Sequence, residues 1–68
     1  MEIKWKDNCE IRFRIEGSAA VLSADRSGLL SLAAQLAALA KEEPGNHIHY
    51  DEHNSLEDGS DELIVEKI

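Results

Sequence analysis

The sequence predicts an α+β fold: one antiparallel β-sheet of four to five strands with a single helix across one face, in the order β-β-β-α-β-β. Three observations carry this. Apolar and charged residues alternate with period two near the start, an unbroken block of helix formers fills the middle, and alternation returns after Pro44-Gly45. Residues 1–68 are read as a single domain, because a chain of 68 residues buries only about 60% of the surface its unfolded form exposes and has material for one small core. A large internal catalytic cavity is not expected in so small a body.

The first strands follow from the alternation. Ile3 and Trp5 interleave with Glu2, Lys4 and Lys6, and after Asp7-Asn8 the pattern resumes with Cys9, Ile11, Phe13 and Ile15 against Glu10, Arg12, Arg14 and Glu16. That is the signature of a hairpin with one apolar and one charged face. Gly17-Ser18 offers a second tight turn, and Ala19 to Ser23 reads as a third strand returning beside the second. The small, mostly apolar residues of this third strand leave its facing open.

Asp25 can accept from the free amides that begin a helix, which is predicted to run from about Arg26 to Glu42. Leu29, Leu32, Leu36 and Leu39 fall on one stripe, flanked by Ala33 and Ala40, and this stripe suits packing across the apolar sheet face. Lys41 is placed in the last turn, where a cation suits the helix dipole, and Pro44-Gly45 stops the helix. Leu30, Ala34, Ala37 and Ala38 widen the apolar surface beyond one stripe, leaving Ser31, Gln35 and Lys41 as polar markers. Two readings stand for this surplus: helix propensity on a partly exposed face, or a homodimer seam where small side chains let two backbones approach.

His47 to Asp51 reads as a short strand with Ile48 and Tyr50 on one side and His47, His49 and Asp51 on the other. A loop from Glu52 to Asp61, with turn chemistry at Asn54-Ser55 and Asp58-Gly59, leads to a last strand from Glu62 to Lys67. Leu63 and Val65 share one side of that strand, and Glu62, Ile64 and Glu66 the other.

The net charge of -7 is unevenly placed. Residues 1–41 carry five acids against six bases, whereas residues 42–68 carry nine acids against Lys67 alone. A field of this kind repels nucleic-acid phosphates and anionic lipid head groups and attracts basic protein surfaces. The bland alternative is a solvated face that keeps a small protein in solution. No apolar run approaches the roughly 18 residues that span a bilayer, and Met1 to Lys6 lacks the apolar region and cleavage site of a secretory signal. The expected location is cytoplasmic. Cys9 is the single cysteine, so no internal disulfide can form, and its expected role is that of a small buried apolar side chain.

Three chemistries can be weighed on the acidic half. His47 and His49 on one strand face would lie about 7 Å apart at the backbone, close enough to share a metal with His53 or Asp51 as a third ligand. No cysteine pair closes such a site, so metal is kept only as an alternative and no cofactor is expected. Calcium fails on register: with Gly59 at the sixth position of an EF-hand loop, the oxygen-ligand positions fall on Leu56 and Val65. Catalysis has Ser55 and Ser60 near histidines and acids, but no nucleophile elbow and no glycine-rich phosphate cradle, so an enzyme is not expected.

The run His47-Ile48-His49-Tyr50-Asp51-Glu52-His53-Asn54-Ser55-Leu56-Glu57-Asp58-Gly59-Ser60-Asp61-Glu62-Leu63-Ile64-Val65, preceded by Gly28-Leu29-Leu30-Ser31-Leu32-Ala33, resembles the small bacterial proteins of immunity protein family 32 over about residues 26–66. The shared pattern is a glycine-leucine helix start, a His-x-His strand followed by an acid, and a Ser-x-Glu-Leu-Ile final strand. The resemblance implies a protein that neutralises a toxin encoded beside it, and it implies no known site. Residues 2–16 fall outside it. Together with the charge it points to a protein partner with a basic surface, met by His47, His49, Asp51, Glu52, His53, Leu56, Glu57, Asp58, Asp61 and Glu62. In this reading the carboxylates form a charged rim, His49 and His53 hydrogen-bond within it, and Leu56 is either an exposed anchor or the pin that holds the loop to its own core.

Overall fold

A computed structural model describes residues 9–68. Their order is β1 (Ile11–Glu16), β2 (Ala19–Ala24), α1 (Arg26–Leu39), β3 (His47–Tyr50) and β4 (Leu63–Glu66). The expected strand around Ile3 and Trp5 lies outside the described residues.

The α+β class holds, but the single sheet does not: β1 pairs with β2 and β3 with β4 in two separate antiparallel sheets. The reason is visible along the free edge of β1. Carbonyls of Ile11 and Phe13 accept from the amides of Glu57 and Asp61 at 2.8 Å each. The amides of Phe13 and Ile15 donate to Ser60 Oγ at 3.2 Å and to Asp61 Oδ2 at 3.0 Å. The loop before β4 thus satisfies the edge that a central strand would have taken, using side chains for half of the bonds. An edge strand needs its backbone groups paired or wetted, and a polar loop meets that need without a ladder.

The β1–β2 turn is two residues long, with Glu16 opposite Ala19 and Gly17 at φ 62°, the left-handed backbone that such turns demand and glycine adopts freely. Helix α1 starts where expected, the Asp25 carboxylate accepting from the Gly28 amide at 2.7 Å. It ends earlier than predicted, at Leu39 with Ala40 as cap, so Lys41 falls beyond the last turn. The cation at the helix end is instead Lys67, whose ammonium donates to the Ala40 carbonyl at 3.1 Å.

The buried stripe of α1 also differs from the predicted one. Gly28, Ser31, Leu32, Gln35 and Leu39 are buried, while Leu29, Leu30 and Leu36 are about half exposed. Periodicity could not choose, because this helix is apolar almost all round. Two contacts set its rotation. A Cβ on Gly28 would stand 2.8 Å from Ile11 Cγ1 and 2.9 Å from the Glu10 carbonyl oxygen, so only glycine lets the first turn lie this close to β1. Farther along, Gln35 is turned inward to accept from the buried Tyr50 hydroxyl at 2.8 Å.

Ile11, Phe13, Leu32, Leu39, Ile48, Tyr50 and Leu56 make the core, with Ala24, Leu63 and Val65 packed against it. Each such large side chain contributes about 1.5–3 kcal/mol when fully buried. Cys9 is half-buried at the border, its Sγ 3.5 Å from Ser31 Oγ. Ile15, predicted to share the apolar face of β1, is exposed, since the strand runs past the core toward its turn.

Candidate functional site

Alternation in β3 buries Ile48 and Tyr50 and turns His47 and His49 outward. Across from them, β4 turns Leu63 and Val65 toward the core and Ile64 and Glu66 outward. The register sets His47 against Glu66 and His49 against Ile64. The two imidazoles meet edge to face, with centroids 4.8 Å apart at 71°. His47 Nδ1 lies 3.2 Å from the Gly45 carbonyl, and His49 Nδ1 lies 3.4 Å from Glu62 Oε2.

The connection between the strands is built rather than slack. The Asp51 carbonyl accepts from the amides of Asn54, Ser55 and Leu56 at 3.3, 3.1 and 2.9 Å, while its carboxylate accepts from the His53 amide at 2.9 Å. Asn54 donates to the His49 carbonyl at 3.1 Å. Glu52 accepts from the Gly59 amide at 2.9 Å, which closes the loop on itself. Such bonds from Asn and Asp side chains to nearby backbone are what make these residues turn formers.

The predicted site residues therefore separate into two groups. His47, His49 and Glu62 come together on the outer face of the β3–β4 hairpin, whereas Asp51, Glu52 and Asp61 are already engaged in holding the loop to itself and to β1. Asp58 is exposed, Glu57 is half-buried, and His53 stands at the surface with its ring 4.0 Å from Glu52. Leu56 is 5% exposed within the core, so the exposed-anchor reading is corrected in favour of the pin. Ile64 and Glu66 belong to the outer face and were not among the predicted contacts. The signal for them was present, since an apolar residue in phase with Glu62 and Glu66 must share their side of the strand.

Among the described residues, no three His, Cys, Asp or Glu side chains converge on a point that could hold a metal ion. His53 stands on the loop and does not complete a set with His47 and His49. Two shallow, open clefts of about 300 and 260 Å³ flank Arg12, one beside Ser23 and Asp25 and the other beside Arg14 and Asp58. Both are open to solvent, unlike the concave sites that enclose small ligands. Burial raises the pKa of the Tyr50 hydroxyl above its ordinary value, and this group is structural, donating to Gln35 inside the core.

No helix among the described residues is long and apolar enough to cross a membrane. The family model of immunity protein 32 matches residues 19–68, and the chain belongs to that family. Its members are toxin inhibitors rather than enzymes, so the partner of this chain is a cognate toxin protein. No curated protein and no solved structure matches the chain.

Proposed function

We propose that the chain neutralises its toxin by covering a basic surface with the outer face of the β3–β4 hairpin and the loop that joins those strands. What supports this most is the position of the charge. Nine of the fourteen acids lie in residues 42–68 with a single base, and that base, Lys67, is turned to the Ala40 carbonyl. Glu62 and Glu66 project from exposed positions on that face, Glu62 beside the His49 imidazole, and Asp58 projects from the loop, where it shares a shallow cleft with Arg12 and Arg14. Carboxylates arranged this way speed encounter with a cationic surface and set which partner is accepted. His47, His49, Asp51, Glu52, His53, Glu57, Asp61 and Glu62 line or support that face, and Leu56 serves it from inside by fixing the loop.

The test is co-expression with the product of each open reading frame adjacent to the gene, scored by rescue of growth and by co-purification at low and high salt. Rescue by a co-purifying, salt-sensitive partner is the expected result. Rescue whose complex is indifferent to salt and to Asp58→Lys would refute occlusion by charge.

One observation favours a second reading, a homodimer. Leu29, Leu30 and Leu36 are about half exposed on the outer side of α1, among alanines. Sedimentation of the free chain decides it: a dimer sediments at twice the monomer mass and returns to monomer in Ala37→Glu.

A further inference from the structure

The outer face of the β3–β4 hairpin has a centre. Ile64 lies 51% exposed in the middle of it, paired across the strands with His49 and diagonal to His47. Along its own strand it is flanked on the same side by Glu62 and Glu66. A β-branched side chain in a strand has little rotamer freedom left to lose, so ordering it in an interface costs little. An apolar centre inside a polar ring is the layout in which interface hot spots occur, the ring excluding water while the centre supplies affinity.

We propose that Ile64 is the apolar anchor of the toxin-binding face, seated in a partner pocket with an apolar floor and a rim of lysine or arginine side chains. The proposal rests on the reading of this face as the toxin-covering one and adds the residue that carries affinity there. The carboxylates argue for the cationic rim, since Glu62 and Glu66 flank Ile64 on the exposed side. The exposed leucines of α1 offer no such choice. Leu36 has Leu32, Ala33, Leu39 and Ala40 as its neighbours at three and four residues, and nothing charged there selects a basic partner.

The assignment divides the work between side chains. Ile64 governs how long the complex lasts, and the carboxylates govern how fast it forms and how strongly it responds to salt. The probe is the toxin domain recovered by co-purification as the product of the neighbouring gene, titrated against the full chain at two ionic strengths. Ile64→Ala is expected to weaken binding by about 10-fold or more, mostly through faster dissociation, with the salt dependence unchanged. Ile64→Thr, which keeps the β-branch and so the strand, should show the same loss and guards against a folding artefact. Glu66→Gln should instead slow association and flatten the salt response, and Ile15→Ala, on the other hairpin, should leave affinity as it was.

Wild-type affinity in both Ile64 variants, while the unmodified chain binds, overturns the anchor and leaves the proposed function standing. If the unmodified chain binds no neighbouring product, the proposed function falls and the anchor with it. A change in the mass of the free chain on Ile64→Ala, with toxin binding intact, would show that a second copy occupies the face and would also overturn the proposal.

Discussion

The two hairpins bury matching pairs, Ile11 and Phe13 from one and Ile48 and Tyr50 from the other, yet they present different outer faces. On β1 the outward Arg12 and Arg14 are matched at once by Glu10 and Glu16, at 3.2 and 2.5 Å. On β3 and β4 the outward groups are two imidazoles, an isoleucine and carboxylates in excess. Exposed ion pairs such as those on β1 are worth about 0–1 kcal/mol, and their effect is to leave that face electrically quiet. Among the described residues the second face carries an excess of carboxylates, of which Glu62 meets the His49 imidazole at 3.4 Å.

The comparison can be broken from the inside first. Ile11→Ala and Ile48→Ala should each cost about 2–4 kcal/mol, because both side chains are almost fully buried and the cavity adds to the lost transfer energy. Urea denaturation of the two variants should show equal losses if the hairpins share one core, and a loss confined to one would separate them. Gly28→Ala comes next. Alanine gains about 1 kcal/mol of helix propensity over glycine, but the clash with Ile11 and the Glu10 carbonyl should outweigh it, for a net loss of about 1–2 kcal/mol. A stabilised variant would mean that the helix start is not wedged against β1.

A subtler probe is the seam between the hairpins. Asp61→Ala removes the acceptor for the Ile15 amide and should cost about 0.5–1 kcal/mol, while Asp61→Asn keeps an acceptor and most of the stability. Equal behaviour of the two would show that charge, not the bond, is what matters at Asp61. The alkaline response is last. Burial raises the Tyr50 pKa, so the unfolded chain loses its phenolic proton first, from about pH 10. Stability is therefore full below that pH and falls as pH rises toward the folded value. Thermal melts should show this decline in the native chain and a weaker one in Tyr50→Phe.

What could be read from residues alone follows the range of the interactions involved. Local signals sufficed for the Gly17-Ser18 turn, the Asp25 cap and the division of β3 and β4 into two sides, since each is settled within a few residues. The single sheet failed because the edge of β1 is closed by Ser60 and Asp61, more than forty residues away, with side-chain bonds that no periodicity encodes. The helix stripe failed because Leu29 and Leu36 are as apolar as Leu32 and Leu39. The choice was made by a missing Cβ at Gly28 and a tyrosine hydroxyl. At the candidate site, the acidic half and His47-x-His49 were legible. The engagement of Asp51, Glu52 and Asp61 in the loop was not, because a carboxylate held by an amide and one left in water look the same in a sequence.

The most direct test is to titrate the ¹⁵N-labelled chain with its toxin and follow every backbone amide. If the outer face of β3–β4 is the contact surface, the perturbations should concentrate at His47, His49, Glu62, Ile64 and Glu66. The amides of Arg12, Arg14 and Ser23 on the quiet face should stay where they are. Perturbations centred on β1 and β2, with the β3–β4 face unmoved, would contradict the account.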